Sequence, residues 1–189
     1  RAGLAEAGLP ADAVTAVEGG HDQLAALIAD PATADVVIPR GGEQLKKLLL
    51  RESRIPVLAA AGGNCHVYVD ASADLDMAAS IVVNAKTNRP SVCNAAESLV
   101  VHESLASTFL PRVAAELTEL GVELVGDAAA QRAVPTIGPA TDDDFSREFL
   151  DLKMSVAVVP DLDAAISHVQ RHSSGHSEAI VTGDLAAAE

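Results

Sequence analysis

The feature that most constrains this chain is a strict alternation of short apolar strand-like runs with helical apolar stripes. The strand-like runs are Asp35 to Pro39, Ile55 to Ala60, His66 to Asp70, Ser98 to His102, Val122 to Val125, Glu148 to Val159 and Ala179 to Thr182. Between them, apolar residues recur at helical spacing: Leu24, Leu27 and Ile28; Leu45, Leu48 and Leu49; Leu75, Ala79, Val82 and Val83; Leu105, Phe109, Val113 and Leu117; Leu162, Ala165, Ile166 and Val169. Parallel strands need a crossover between them, and a helix is the usual one. The alternation therefore predicts an α/β fold with a largely parallel sheet flanked by helices. Several boundaries carry their own signals. Asp161 stands where a helix N-cap belongs, Gly121 ends a helix, and Thr141 to Asp144 reads as an acidic loop or cap.

Composition narrows the function classes. The chain has 189 residues, 49% of them apolar and 21% charged, which suits one or one and a half core-forming domains. No apolar run is long enough to span a membrane. The net charge of −14 argues against a nucleic-acid backbone as partner, because phosphate binding needs a basic face. An anionic small molecule is compatible only where local cations override that field. The two cysteines, Cys65 and Cys93, lack CxxC spacing and read as free thiols in a reducing compartment. The opening RAGLAEAGLP shows no leader pattern, so cytoplasm is the expected location.

Chemistry concentrates in Asn84 to Leu99. Cys93 lies at a loop-to-strand junction, with Lys86 and Arg89 before it and Asn88 and Asn94 close by. Cations and hydrogen-bond donors favour the thiolate, the nucleophilic form. The bland alternatives are a small buried hydrophobe for Cys93 and solvated cations for Lys86 and Arg89. A second candidate is the turn Arg40-Gly41-Gly42 between a strand and a helix, a geometry that offers backbone N–H groups to a phosphate. It lacks the full G-x-G-x-x-G, and an ordinary βα turn explains it equally. Cys65-His66 with Cys93 lacks zinc-site spacing, so no metal is expected.

The stretch NAKTNRPSVCNAAESLVVH closely resembles the active-site segment of the gamma-glutamyl phosphate reductases, a branch of the aldehyde dehydrogenase superfamily with the pattern N-A-K-x-x-R-P-x-V-C-N-A-x-E-x-L. Ile38 to Leu45, Gly62 to Asp76 and Asp161 to Thr182 fit the same family in the same order. The resemblance implies an aldehyde-dehydrogenase-like catalytic domain plus part of a Rossmann-like cofactor domain. It divides the chain into residues 1–60 (the end of the dinucleotide-binding domain), 61–183 (the thiol domain) and 184–189 (the return toward the cofactor domain). A first residue that is Arg and an end on DLAAAE then fit a partial enzyme, inactive by itself.

The same resemblance implies NADPH-dependent reduction of gamma-glutamyl phosphate to glutamate 5-semialdehyde in proline synthesis. Cys93 would be the nucleophile that carries the acyl group. Lys86, Arg89 and Asn94 would serve substrate or oxyanion, with a backbone N–H near Cys93 as a further donor. Arg40, Gly41, Gly42 and Glu148 would bind NADP(H). Glu148 lies in Arg147-Glu148-Phe149-Leu150, similar to the family's E-x-F element except that the third position is Leu150, not Phe. Hydrolytic relatives carry a glutamate base two residues before the paired glycine; here Ala60 and Ala61 precede Gly62-Gly63. Without a base to activate water, a thioester is left for phosphate or hydride. His176-Ser177-Glu178 belongs to a family signature and reads as a turn-stabilising element. Expected partners are an acyl phosphate, further copies of the chain and glutamate 5-kinase. The competing readings are a CoA-acylating aldehyde dehydrogenase and a non-catalytic oligomerisation or scaffold domain.

Overall fold

The computed structural model describes residues 2–10, 12–41, 43–59 and 62–189, and it divides into two units, 1–60 and 61–189. In the first unit, helices α1 (Ala2–Glu6), α2 (His21–Ala29) and α3 (Glu43–Glu52) are joined by irregular segments. Ile28, Leu49 and Ile55 are buried, and the Arg54 N–H donates to the Ile28 carbonyl at 2.8 Å. The two strands expected at Asp35 to Pro39 and Ile55 to Ala60 shrink to one parallel bridge, Val37 with Val57. A pair of parallel strands with no further neighbour has too few ladder bonds to hold more.

The second unit is built on a six-stranded sheet in the order β4-β3-β5-β2-β1-β6, every pair parallel. In chain order its elements are β1 (Cys65–Val69), α4 (Leu75–Thr87), β2 (Ala96–His102), α5 (Phe109–Glu119), β3 (Glu123–Gly126), α6 (Ala128–Ala133), β4 (Gly138–Pro139), α7 (Asp142–Ser146), β5 (Lys153–Val159), α8 (Leu162–His172), β6 (Glu178–Val181) and α9 (Leu185–Ala188). β1 and β2 are buried on both faces, which is why they read as continuous apolar runs. One core holds Val67, Val69, Leu99, Val101, Met154 and Val156 from the sheet, together with Val82, Leu110, Val113 and Leu117 from the helices. Burying each such Leu or Val fully is worth about 1.5–3 kcal/mol. Across the sheet, Tyr68, Val100 and Val159 pack with Ala165 of α8.

The caps follow the sequence signals. Asp161 accepts from the Ala164 N–H at 2.8 Å, and Asp74 from the Asp76 and Met77 N–H groups at 3.0 Å. Thr141 begins α7 in a reciprocal capping box with Asp144. Leu105 falls in a separate 3-10 turn (Glu103–Leu105), so α5 starts only at Phe109. The extended run expected from Glu148 becomes strand only at Lys153; Leu150 before it has φ 56°, the left-handed region no strand contains. Among the described residues no helix is long and apolar enough to cross a membrane.

Candidate active site at the N-terminal edge of the sheet

All six strands run the same way, so the segments that enter them meet at one edge. Gly62 to Asn64 lead into β1, Cys93 to Ala95 into β2, Glu148 to Leu150 toward β5 and Ser173 to Ser177 into β6. Ligand sites of open parallel sheets usually lie at the opposite, C-terminal edge. Here the polar side chains and glycines that allow close backbone approach gather where the strands begin.

Gly63 is the pivot. A Cβ built on it would lie 1.6 Å from the Cys93 carbonyl oxygen, so only glycine permits this backbone contact. Its N–H donates to Glu148 Oε1 at 2.8 Å. The two segments that carry Cys93 and Glu148 are thereby tied to one residue. Asn64 extends the knot: its N–H donates to Ser174 Oγ at 3.0 Å, and its Nδ2 to the carbonyls of Phe145 and His172, both at 2.8 Å. The His66 N–H donates to Glu178 Oε2 at 2.9 Å.

Cys93 is exposed and Cys65 buried, both as free thiols. The turn that carries Cys93 borders an open cleft of about 400 Å³, lined by Asn84, Ala85, Asn88, Arg89, Val92, Asn94 and Ala95. Arg89 is exposed and has no ion-pair partner among the described residues, so its guanidinium is free to meet an anion. Neither the Cys93 nor the Asn94 N–H has an acceptor among the described residues.

Lys86 is neither a solvated cation nor free to turn toward a ligand. It is fully buried, and Nζ donates to Glu97 Oε2 at 2.6 Å. Position 86 continues the inward face of α4 set by Ala78, Ala79 and Val82, which points the side chain at β2. Glu97 Oε1 in turn accepts the Leu150 N–H at 3.0 Å. Burial pushes the Glu97 carboxyl above the usual carboxylate range, while Lys86 and the Leu150 N–H pull it down.

A ring cluster lies beside this edge. The His66 and His168 ring centroids are 5.7 Å apart, His168 and His172 4.7 Å, and Phe145 and His168 5.3 Å. Burial, with the nearby His172, His66 and Arg171, lowers the His168 imidazole to about 4. Among the described residues no group of three or more His, Cys, Asp or Glu side chains could hold a metal ion. In the first unit, Arg40 and Gly41 lie on an exposed turn ahead of α3; Gly42, Ala60 and Ala61 fall outside the described residues.

Glu97 and Asn64 were not singled out by sequence reasoning, and Cys65 entered it only as a free thiol without zinc-site spacing. Gly63 had a local signal as half of a glycine pair. The rest act through contacts between distant segments.

The model of the "Aldehyde dehydrogenase family" matches residues 2–151. The chain is 47% identical over 189 residues to gamma-glutamyl phosphate reductase of Thermobifida fusca, covering 100% of this chain and 45% of that protein. The crystal structure of gamma-glutamyl phosphate reductase from Thermotoga maritima superposes with a TM-score of 0.84 at 43% identity, over 89% of this chain and 41% of that one. An NADP-dependent glyceraldehyde-3-phosphate dehydrogenase from Bacillus halodurans, complexed with NADP, shares the fold at 20% identity and a TM-score of 0.72, over 96% of this chain and 46% of that one. The chain thus spans less than half the length of these relatives.

Proposed function

The chain belongs to the aldehyde dehydrogenase family, and from that premise we propose that it forms the thiol-bearing part of an NADPH-dependent gamma-glutamyl phosphate reductase. The product would be glutamate 5-semialdehyde, with release of phosphate. The observation that carries this reading is the exposed Cys93 thiol, set between two residues, Val92 and Asn94, that line the polar cleft. The names of the relatives at 47% and 43% identity support the substrate.

Cys93 as thiolate attacks the acyl carbon, forming the C–S bond. The negative charge that develops on the carbonyl oxygen needs donors already in place. The Cys93 and Asn94 N–H groups, without acceptors among the described residues, and the Asn94 side chain would supply them. The tetrahedral centre collapses, and phosphate leaves with the electrons of the acyl C–O bond. Arg89, the free cation of the cleft, receives that dianion. Lys86 we assign to the framework, through Glu97.

The acyl group then remains on Cys93 as a thioester. Alanines at 60 and 61, where a hydrolytic relative holds its base, leave no carboxylate there to activate water. When bound, the nicotinamide cofactor would supply the hydride that brings the thioester to the aldehyde level, and the C–S bond would then break to release the aldehyde and return Cys93 as thiolate. Glu148 fits such a group: Oε1 is taken by Gly63, while Oε2 has no hydrogen bond among the described residues and can accept a ribose hydroxyl. Arg40 and Gly41, exposed ahead of α3, would offer a cation and an N–H to the cofactor's phosphates, with Gly42 assigned to the same role from the sequence alone. Residues 1–60 would then belong to the cofactor domain and 61–183 to the thiol domain. A homo-oligomer and an association with glutamate 5-kinase are partners to test.

The test is an assay of the full-length protein with glutamate 5-semialdehyde and NADP, with and without phosphate. NADP reduction that requires phosphate and vanishes in Cys93→Ser is expected. Turnover indifferent to phosphate would overturn the assignment.

A further inference from the structure

The carbonyl of the exposed cysteine is gripped by the buried one. Cys65 opens β1, and its Sγ lies 3.2 Å from the Cys93 carbonyl oxygen. No other donor reaches that oxygen among the described residues. Burial pushes the Cys65 thiol up to about 11, so at neutral pH the sulfur carries its proton and is the donor. Its own backbone is fixed: Cys65 pairs with Ala96 of β2, and its N–H donates to the Gly63 carbonyl at 3.0 Å. The His176 imidazole is 3.9 Å from the sulfur and has Ser177 Oγ nearer, at 2.9 Å, so it competes weakly.

The consequence for the nucleophile follows from peptide geometry. In a trans peptide the C=O and the next N–H point in opposite directions. Holding the Cys93 carbonyl against Cys65 and Gly63 of the β1 entry therefore turns the Asn94 N–H away from β1. That N–H has no acceptor among the described residues. The grip also limits rotation of the turn that carries the Cys93 side chain.

We propose that Cys65 is a positioning residue for the reaction: its S–H bond to the Cys93 carbonyl fixes the nucleophile turn and the Asn94 N–H in their reactive orientation. The inference rests on the assignment of Cys93 as nucleophile. A thiol is a weak donor, yet among the described residues it is the sole donor to that oxygen, and a small misplacement of reacting groups is costly.

The experiment uses the full-length protein. Phosphate-dependent activity and alkylation of Cys93 by iodoacetamide are measured first in wild type; if both are missing, the catalytic assignment fails and this inference falls with it. With wild type active, Cys65→Ala should lower kcat about tenfold with KM changed less than about twofold, and slow Cys93 alkylation in parallel. Cys65→Ser, which keeps an O–H donor, should return kcat to within about threefold of wild type. Wild-type kcat in Cys65→Ala, or Cys65→Ser as slow as Cys65→Ala, overturns the proposal. Should Cys65→Ala not fold, the Raman difference between wild type and Cys65→Ser decides. The Cys65 S–H stretch should fall on the hydrogen-bonded, low-frequency side, and a free-thiol frequency overturns the proposal.

Discussion

Lys86 Nζ and Glu97 Oε2 meet at 2.6 Å with both side chains fully removed from solvent. Removing two charges from water costs several kcal/mol per ion, which their attraction repays only with good geometry and further hydrogen bonds. Glu97 has such a bond, because Oε1 takes the Leu150 N–H. That bond holds the segment carrying Glu148 against β2, at a residue in the left-handed region. Lys86→Met or Glu97→Gln alone should destabilise the protein by about 3–5 kcal/mol, since each strands a buried partner. The double variant Lys86→Met/Glu97→Leu should recover most of that loss in urea unfolding. Its KM for NADPH should be higher than in wild type, because nothing then holds the Leu150 N–H. A double variant as unstable as the singles would show that the pair itself, rather than the stranded charge, sets the stability.

Gly62 and Gly63 are adjacent, yet substitution should separate them sharply. A Cβ on Gly63 meets backbone, the Cys93 carbonyl oxygen at 1.6 Å and Cα at 2.8 Å, and no rotamer relieves that. A Cβ on Gly62 meets Glu148 Oε2 at 3.1 Å, the end of a side chain that can move. Gly63→Ala should cost about 100-fold or more in kcat and slow alkylation of Cys93, by displacing the nucleophile turn. Gly62→Ala should cost about tenfold or less, mostly in KM for the cofactor, because the Glu148 carboxylate shifts. Equal losses in steady-state kinetics would mean that the Cys93 contact is not what Gly63 serves.

The contrast between these two glycines marks how far a linear reading reaches. The strands β1, β2 and most of β5 were legible because burial on both faces leaves continuous apolar runs, β6 because a short apolar run survives even at the exposed sheet edge, and Asp161 because a cap is a local signal. Helix α6 was not, since Ala128 to Ala133 offers alanines with no contrast between faces. Val37 and Val57 look like strand residues, but a strand needs neighbours, and local composition does not say whether they exist. In the site, the Cys93 loop stood out by its thiol, cations and family wording. Glu148 sits 85 residues from Gly63 and Cys65 28 residues from Cys93, and such contacts have no local pattern. Lys86 shows the reverse case. Its step of four from the buried Val82 pointed it inward, and reading it as a substrate or oxyanion cation overlooked that spacing.

Arg89 should behave unlike Lys86, because it is exposed at the cleft with no ion-pair partner among the described residues. On a chain of net charge −14, an anionic substrate meets a repelling field that a local cation must offset. Arg89→Gln should raise KM for phosphate about tenfold or more in the semialdehyde-oxidising direction, with the melting temperature unchanged. Arg89→Lys should recover part of this loss, since a point charge replaces a two-pronged donor. A phosphate KM equal to wild type in Arg89→Gln would remove Arg89 from the phosphate site.

His168 gives the fold a dependence on pH whose sign is fixed by its surroundings. Its folded value is about 4 against an ordinary 6.5, because burial and the nearby His172, His66 and Arg171 oppose a further positive charge. Between those two values the unfolded chain binds a proton that the folded chain refuses. The stability contribution is therefore complete above pH 6.5 and is lost as pH falls toward 4. A shift of this size corresponds to on the order of 3 kcal/mol. Nε2 of His168 is buried with no hydrogen-bond partner among the described residues, so an apolar ring of similar shape should be tolerated at neutral pH. His168→Phe should then match or exceed wild-type stability at pH 7 and lose less of it between pH 6.5 and 4, as read from urea midpoints across that range. Parallel decline in the two proteins would place the acid sensitivity in another group, with His66 next in line because burial lowers its imidazole as well.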